Sequence, residues 1–280
     1  MTTRAFGLLA AMFAIAMGAG EAQAQVKSPV TIATEGAYAP WNLTDTQGKI
    51  IGFEPELIAY ICTRAALDCT IVAQDWDGMI PGLLADKSDV IMDAISITPD
   101  REKIIAFSVP YARTKAGFLA AKDGKFAGVS GTGTTLVTNP ALEGAADTLK
   151  ALKATFKGAT IGIQIGTVYA EFIEKNFGDV ATIQEYRTND ERNLDLQSGR
   201  IDLAFDDTVV LSPVIEQAKG ALAFTGPAFG GTIFDAGSGF GFRKADTELK
   251  AMFDEGVKAA LADGTIKSLS EKWLKTDVSP

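Results

Sequence analysis

Leu83-Leu84-Ala85-Asp86-Lys87-Ser88-Asp89-Val90-Ile91-Met92-Asp93 and Leu196-Gln197-Ser198-Gly199-Arg200-Ile201-Asp202-Leu203-Ala204-Phe205-Asp206 share one pattern. Each runs from a helix end through a polar turn and an aspartate into a short apolar strand. Each then closes on an acid at the strand's carboxyl end. Open α/β sheets bind ligands in the crevice beyond those carboxyl ends. Two such units in one chain therefore predict two lobes that face a single cleft.

Outward from these units, apolar strand-like runs alternate with amphipathic helical runs, the grammar of an α/β protein with mostly parallel sheets. Before and around the first unit, the pattern predicts strands at 30–33, 70–73 and 90–94. Helices are predicted at 54–66, with Pro55 in the first turn where proline is tolerated, at 78–85, and from Pro99 onward. A strand follows at 117–121. The stretch 125–157 is rich in Gly, Thr and Ala and holds one predicted helix, 145–156. The alternation then restarts with strands at 160–164, 182–186 and 201–205 and helices at 168–176, 191–197 and 209–219. A last strand at 237–243 and closing helices at 247–262 and 266–274 complete the reading.

Arg4, an apolar run from Phe6 to Met17 and the small-residue site Ala22-Gln23-Ala24 read as a secretory signal peptide, residues 1–24, cut before Gln25. The run is too short for the about 20 apolar residues that span a bilayer. A soluble periplasmic product is the expectation. Cys62 and Cys69 are the two cysteines, and in an oxidising compartment a disulfide between them is the default. On one continuous helix they would lie roughly 10 Å apart along the axis, too far to bond. The chain must turn back near Leu67-Asp68, so the bridge is read as a staple between a helix end and the next strand.

The sequence carries 35 acids against 26 bases, a net charge of −9, which argues against a nucleic-acid partner. It contains no histidine, which removes Ser-His-Asp and Cys-His machinery and the usual zinc sites. No phosphate-cradling loop occurs, and the glycines at 226–231 and 237–241 do not form a dinucleotide fingerprint. No catalytic residue, metal or cofactor is expected.

What remains is recognition chemistry. Tyr38-Ala39-Pro40-Trp41 follows the first strand and Trp76 the third apolar segment, where flat aromatic walls suit an aliphatic or guanidinium chain. Arg101 sits in the first turn of a helix, an unfavourable place for a cation unless it captures an anion. Asp93, Asp206 and Asp207 end strands, as caps or as ligand contacts.

At these residues the chain resembles the periplasmic solute-binding proteins for polar and basic amino acids that serve ABC importers. The markers are Ala33-Thr34-Glu35-Gly36-Ala37-Tyr38-Ala39-Pro40-Trp41-Asn42, Gly52-Phe53-Glu54, Trp76-Asp77-Gly78-Met79-Ile80-Pro81-Gly82-Leu83, Ser96-Ile97-Thr98-Pro99-Asp100-Arg101, Ile105-Ala106-Phe107-Ser108, Gly199-Arg200-Ile201-Asp202 and Ala262-Asp263-Gly264-Thr265-Ile266. The resemblance implies a two-lobed, type II binding-protein fold with a hinge. Lobe one would be residues 25–114 and 229–280, and lobe two residues 115–228. It implies that Arg101 clamps an α-carboxylate, Ser96 binds the α-carboxylate and α-amino groups, and Asp207 pairs with the α-ammonium. Tyr38 and Trp76 would sandwich the ligand's side chain, with Glu35 and Asp93 at its distal end. Gln164, Thr167 and Val168 would form a carboxylate loop in the second lobe. The cysteine bridge is shared by that family as well.

Two features set this chain apart from the dibasic-amino-acid members. Asp93-Ala94 stands where they carry small hydroxyl residues, and the longer 125–157 stretch is similar to the branch that binds octopine and nopaline. The expected function is capture of a basic amino acid or related opine by a monomer that docks to an inner-membrane permease. Three rival readings stay open: a neutral polar ligand such as glutamine, a cyclohexadienyl-dehydratase-like enzyme using Glu35 or Asp93, and a sensor role.

Overall fold

The computed structural model describes residues 28–137 and 145–280. The predicted signal segment, 1–24, lies outside the described residues, as does Asn139-Pro140. Among the described residues no helix is long and apolar enough to cross a membrane.

The first lobe begins with β1 (Val30–Thr34), then a small antiparallel sheet of β2 (Ala37–Tyr38), β3 (Asn42–Thr44) and β4 (Ile50–Ile51). α1 (Phe53–Arg64), β5 (Cys69–Ala73), α2 (Met79–Leu84), β6 (Val90–Ile91), the one-turn α3 (Pro99–Glu102) and β7 (Ala106–Phe107) follow. The chain then enters the second lobe with β8 (Ala116–Ala121), β9 (Thr135–Val137), α4 (Ala145–Thr155), β10 (Thr160–Gln164), α5 (Val168–Phe177), β11 (Thr182–Tyr186), α6 (Asn189–Gln197), β12 (Leu203–Asp207), α7 (Thr208–Gln217) and β13 (Leu222–Gly230). It returns to the first lobe with β14 (Gly241–Phe242), α8 (Thr247–Ala262) and α9 (Thr265–Leu269), and a π-helical turn at Ser270–Leu274.

The first sheet has the order β5-β1-β6-β14-β7 and the second β11-β10-β12-β8-β13-β9. In each, the strands of the quoted units, β6 and β12, close a parallel trio, and antiparallel strands extend the sheet beyond them. β13 was not predicted. Its Gly226-Pro227 cannot continue a regular ladder, and its pairing with β8 slips between Thr225 and Phe229. Beyond that slip it pairs in parallel with β9, which the 125–157 stretch supplies. The second sheet thus extends to Gly230, and the predicted strand 237–243 reduces to β14 and isolated bridging at Ser238.

The two passages between lobes run side by side. Tyr111 N–H donates to the Ser238 carbonyl and Ser238 N–H to the Ala112 carbonyl, both at 2.9 Å. Gly237 makes this approach possible: a Cβ there would lie 2.4 Å from the Ala112 carbonyl oxygen. Each lobe has its own aromatic core, Trp41, Phe53, Tyr111, Phe240 and Phe253 in the first and Phe118, Phe156, Phe177, Phe205 and Phe229 in the second. Trp41, expected with Tyr38 as an exposed wall, is fully buried against Phe53 and Tyr111.

Cys62 near the end of α1 and Cys69 at the start of β5 are bonded, with Cα atoms 6.3 Å apart. Ala66, in the left-handed region at φ 52°, makes the turn between them. Replacing both cysteines with serine is expected to lower stability by about 2–3 kcal/mol, since the bridge closes a short loop in the unfolded chain. Urea unfolding of the oxidised protein and the double variant measures this, and equal midpoints would contradict it.

Candidate functional site

A narrow cavity of about 20 Å³ lies between the lobes. The first lobe lines it with Glu35, Tyr38, Trp76, Asp93, Ala94, Ser96 and Arg101, and the second with Gln164, Thr167, Val168 and Tyr169. The strand ends explain the convergence. Glu35 follows β1, Asp93 follows β6 and Gln164 ends β10, so parallel strands of both sheets deliver these residues to one crevice.

One end of the cavity is built for an anion. Arg101 donates to the Ser96 carbonyl at 2.9 Å and, across the cleft, to the Gly166 carbonyl at 3.2 Å. Its guanidinium lies over Trp76, 5.3 Å from the ring centre. It forms no ion pair with an acid among the described residues, and burial lowers its pKa to about 10. Opposite it, Thr167 caps α5 by accepting from Ala170 N–H at 3.1 Å and donates to the Gln164 carbonyl at 2.8 Å. The first amides of this ten-residue helix, at Val168 and Tyr169, have no partners within the helix and add a positive dipole end.

The other end is acidic. Asp93 is 3 % exposed, and its Oδ1 accepts from Thr34 Oγ1 (3.1 Å), Glu35 N–H (3.1 Å) and Asn42 Nδ2 (2.8 Å). Among the described residues its Oδ2 has no hydrogen-bond partner. Burial pushes the Asp93 carboxyl well above the carboxylate range, with Glu35 and Glu54 adding repulsion. Burial also raises Glu35 to about 7, with Asp206, Asp190 and Asp75 contributing and the Gln164 hydrogen bond opposing. Beneath them Glu54 accepts from Tyr111, from Asn42 Nδ2 at 2.9 Å and from Ala94 N–H at 2.8 Å. That last bond holds Ala94 at φ 45°, a strained conformation for a residue with a Cβ.

Contacts between lobes differ in part from those expected. Gln164 was read as part of a carboxylate loop. Its side-chain amide donates to both Glu35 oxygens (3.0 and 3.2 Å) and to the Arg187 carbonyl (3.0 Å), while its oxygen accepts from Asn189 Nδ2 (3.0 Å). Tyr38, read as an aromatic wall, also crosses the cleft to donate from its hydroxyl to Asp206 Oδ1 at 2.8 Å. Asp207 is not at the cavity wall. As the last residue of β12 it caps α7, accepting from Val209 N–H at 2.9 Å, and it takes the Thr114 hydroxyl at 2.7 Å.

Three residues escaped the sequence reading. Tyr169 lines the cavity, and its place in the first turn of α5 beside Val168 was the available signal. Arg192 is fully buried and ion-pairs with Asp206. Nothing in the polar sequence of α6 marks it. Arg187 reaches from the second lobe to Asp77 at 3.1 Å and Asp75 at 3.8 Å, closing the cleft beside Trp76.

Residues 30–276 match the sequence profile of the bacterial extracellular solute-binding proteins, family 3. The chain is 42 % identical to the octopine-binding periplasmic protein of Rhizobium meliloti, with 98 % of each covered. It is 30 % identical to the histidine-binding periplasmic protein of Salmonella typhimurium, with 91 % of each covered. Among solved structures it is similar to a periplasmic His/Glu/Gln/Arg/opine family-binding protein from Silicibacter pomeroyi in complex with lysine. That likeness has a TM-score of 0.72 at 30 % identity, over 90 % of this chain and 99 % of the other. With two sheet-bearing lobes around a polar cleft and a profile match through nearly all of the described residues, the chain belongs to the bacterial extracellular solute-binding proteins, family 3.

Proposed function

We propose that this protein is the periplasmic capture component of an ABC importer and that its ligand is a basic amino acid or an opine derived from one. Residues 1–24 would direct export and be removed, and the mature monomer would deliver its ligand to an inner-membrane permease. One observation carries the reading: an arginine without a partner acid and a buried carboxylate oxygen without a donor, among the described residues, face the same interlobe cavity. A ligand with a carboxylate at one end and a guanidinium or ammonium at the other satisfies both, as buried charges require. The Tyr38 and Trp76 rings supply apolar walls between. Closure of the lobes about the paired passages at 111–115 and 231–238 would bury the ligand and create the surface offered to the permease.

A thermal-shift screen with arginine, lysine, octopine, glutamine and glutamate tests this. A basic compound at 100 times its Kd is expected to add about 2.7 kcal/mol. If glutamine or glutamate bound more tightly than every cationic compound, the assignment of Glu35 and Asp93 would be wrong. The raised Glu35 also fits a general acid on the same scaffold. Mass analysis of the ligand recovered after denaturing the complex separates the cases, because a binding protein returns it unchanged.

A further inference from the structure

The acidic end of the cleft has one feature that ligand capture alone does not use. Glu35 and Asp93 are neighbours, joined by the 3.1 Å bond from Glu35 N–H to Asp93 Oδ1. Asp93 Oδ1 is saturated by three donors while Oδ2 has none. The groups around the pair compound its charge. Glu54 on α1 lies below Asp93, and Asp206 on β12, Asp190 on α6 and Asp75 before Trp76 face Glu35. Tyr38 and Tyr111 are the nearby phenols, each already donating to another carboxylate. Of the cations, Arg192 is engaged with Asp206, Arg187 with Asp77 and Asp75, and Arg101 lies over Trp76 at the other end of the cavity.

We infer that the empty closed cleft holds one proton on the Glu35–Asp93 pair and that the cationic group of a basic ligand takes its place. This deepens the proposed function and rests on its basic ligand. The exchange balances in charge: the ligand's positive group enters, one carboxyl O–H bond breaks, and the proton leaves to solvent. A neutral ligand of the same shape has no charge to offer and leaves the proton in place. The raised Glu35 and Asp93 fit this geometry. The direction of the pH effect follows. Below about 7 the empty site is protonated and the proton competes with the ligand, so affinity for a cation falls as pH falls. Above about 7 Glu35 is already ionised and affinity levels off. The same site therefore sorts cationic from neutral side chains more sharply in neutral than in acid medium.

Calorimetry with arginine, octopine and the neutral isostere citrulline tests the exchange, run at about pH 6.5 in buffers of different ionisation enthalpy. The expected slope for a basic compound approaches one proton released per ligand, against close to none for citrulline. Arginine affinity should weaken on the order of tenfold between about pH 7.5 and about pH 5.5, while citrulline affinity stays level. Asp93→Asn should flatten the arginine profile, and Glu35→Gln provides the same readout should that variant misfold. Binding of a basic compound with no proton release and a level pH profile overturns the exchange and leaves the proposed function standing. Failure of both arginine and octopine to bind, with a neutral or acidic amino acid bound instead, overturns the proposed function and the exchange with it.

Discussion

Arg101→Lys is expected to weaken ligand binding by about 10²-fold, corresponding to roughly 2.7 kcal/mol, without unfolding the protein. The guanidinium is held in one plane by the Ser96 and Gly166 carbonyls and by the Trp76 ring, leaving its remaining N–H groups for a carboxylate. Lysine keeps the charge but cannot hold two acceptors of the protein and a bidentate carboxylate at once. The loss should be shared by every ligand with an α-carboxylate, whatever its side chain, which distinguishes it from changes at Glu35 or Asp93. Titration calorimetry with the circular-dichroism spectrum as a folding control measures it. An affinity within about threefold of the parent protein would remove Arg101 from this role, since a lost charge-assisted bond costs more.

Arg192→Met is expected to destabilise the second lobe by about 3–5 kcal/mol, the usual consequence of removing one member of a buried ion pair. Asp206 is 1 % exposed, and its remaining donors are the Tyr38 hydroxyl and the Asp207 amide at 2.7 Å. Neither neutralises a charge, so the variant leaves a buried carboxylate without a counter-ion. Adding Asp206→Asn should recover part of the loss, because the charge then leaves with its partner. Urea unfolding of the two variants checks both statements. A loss below about 1 kcal/mol for the single variant would mean that the pair is screened as a surface pair is.

The two repeated units were legible because parallel strands buried on both faces read as continuous apolar runs. β10 and β11 occupy the residues expected, and strands 30–33 and 70–73 lie within β1 and β5. The cavity wall was legible for a related reason: the residues just past such strands have nowhere to go but the crevice. Other features depended on contacts distant in sequence. β2, β3 and β4 are too short to show alternation, and Trp41 among them is claimed by the first core rather than the cleft. β13 hides behind Gly226-Pro227 and its slipped register. Asp207 was legible as a cap or a ligand contact, and the helix beginning at Thr208 uses its side chain as a cap. Arg192 becomes intelligible only when β12 brings Asp206, 14 positions further along the chain, beneath α6.

The order of the first sheet carries a consequence for synthesis. β14 lies between β6 and β7, and among the described residues β7 pairs with β14 alone. Every strand of the second sheet lies within residues 116–230, so that lobe can be complete before Gly241 has been made. The first lobe is begun first and finished last. Until its final segment arrives, β6 presents an open edge, and Ile61 on α1 lacks Gly256 of α8, against which it packs so closely that a Cβ would lie 2.8 Å away. A chain that ends near residue 240 therefore has a finished second lobe tethered to an unsealed first one, a species prone to pair with a neighbouring chain.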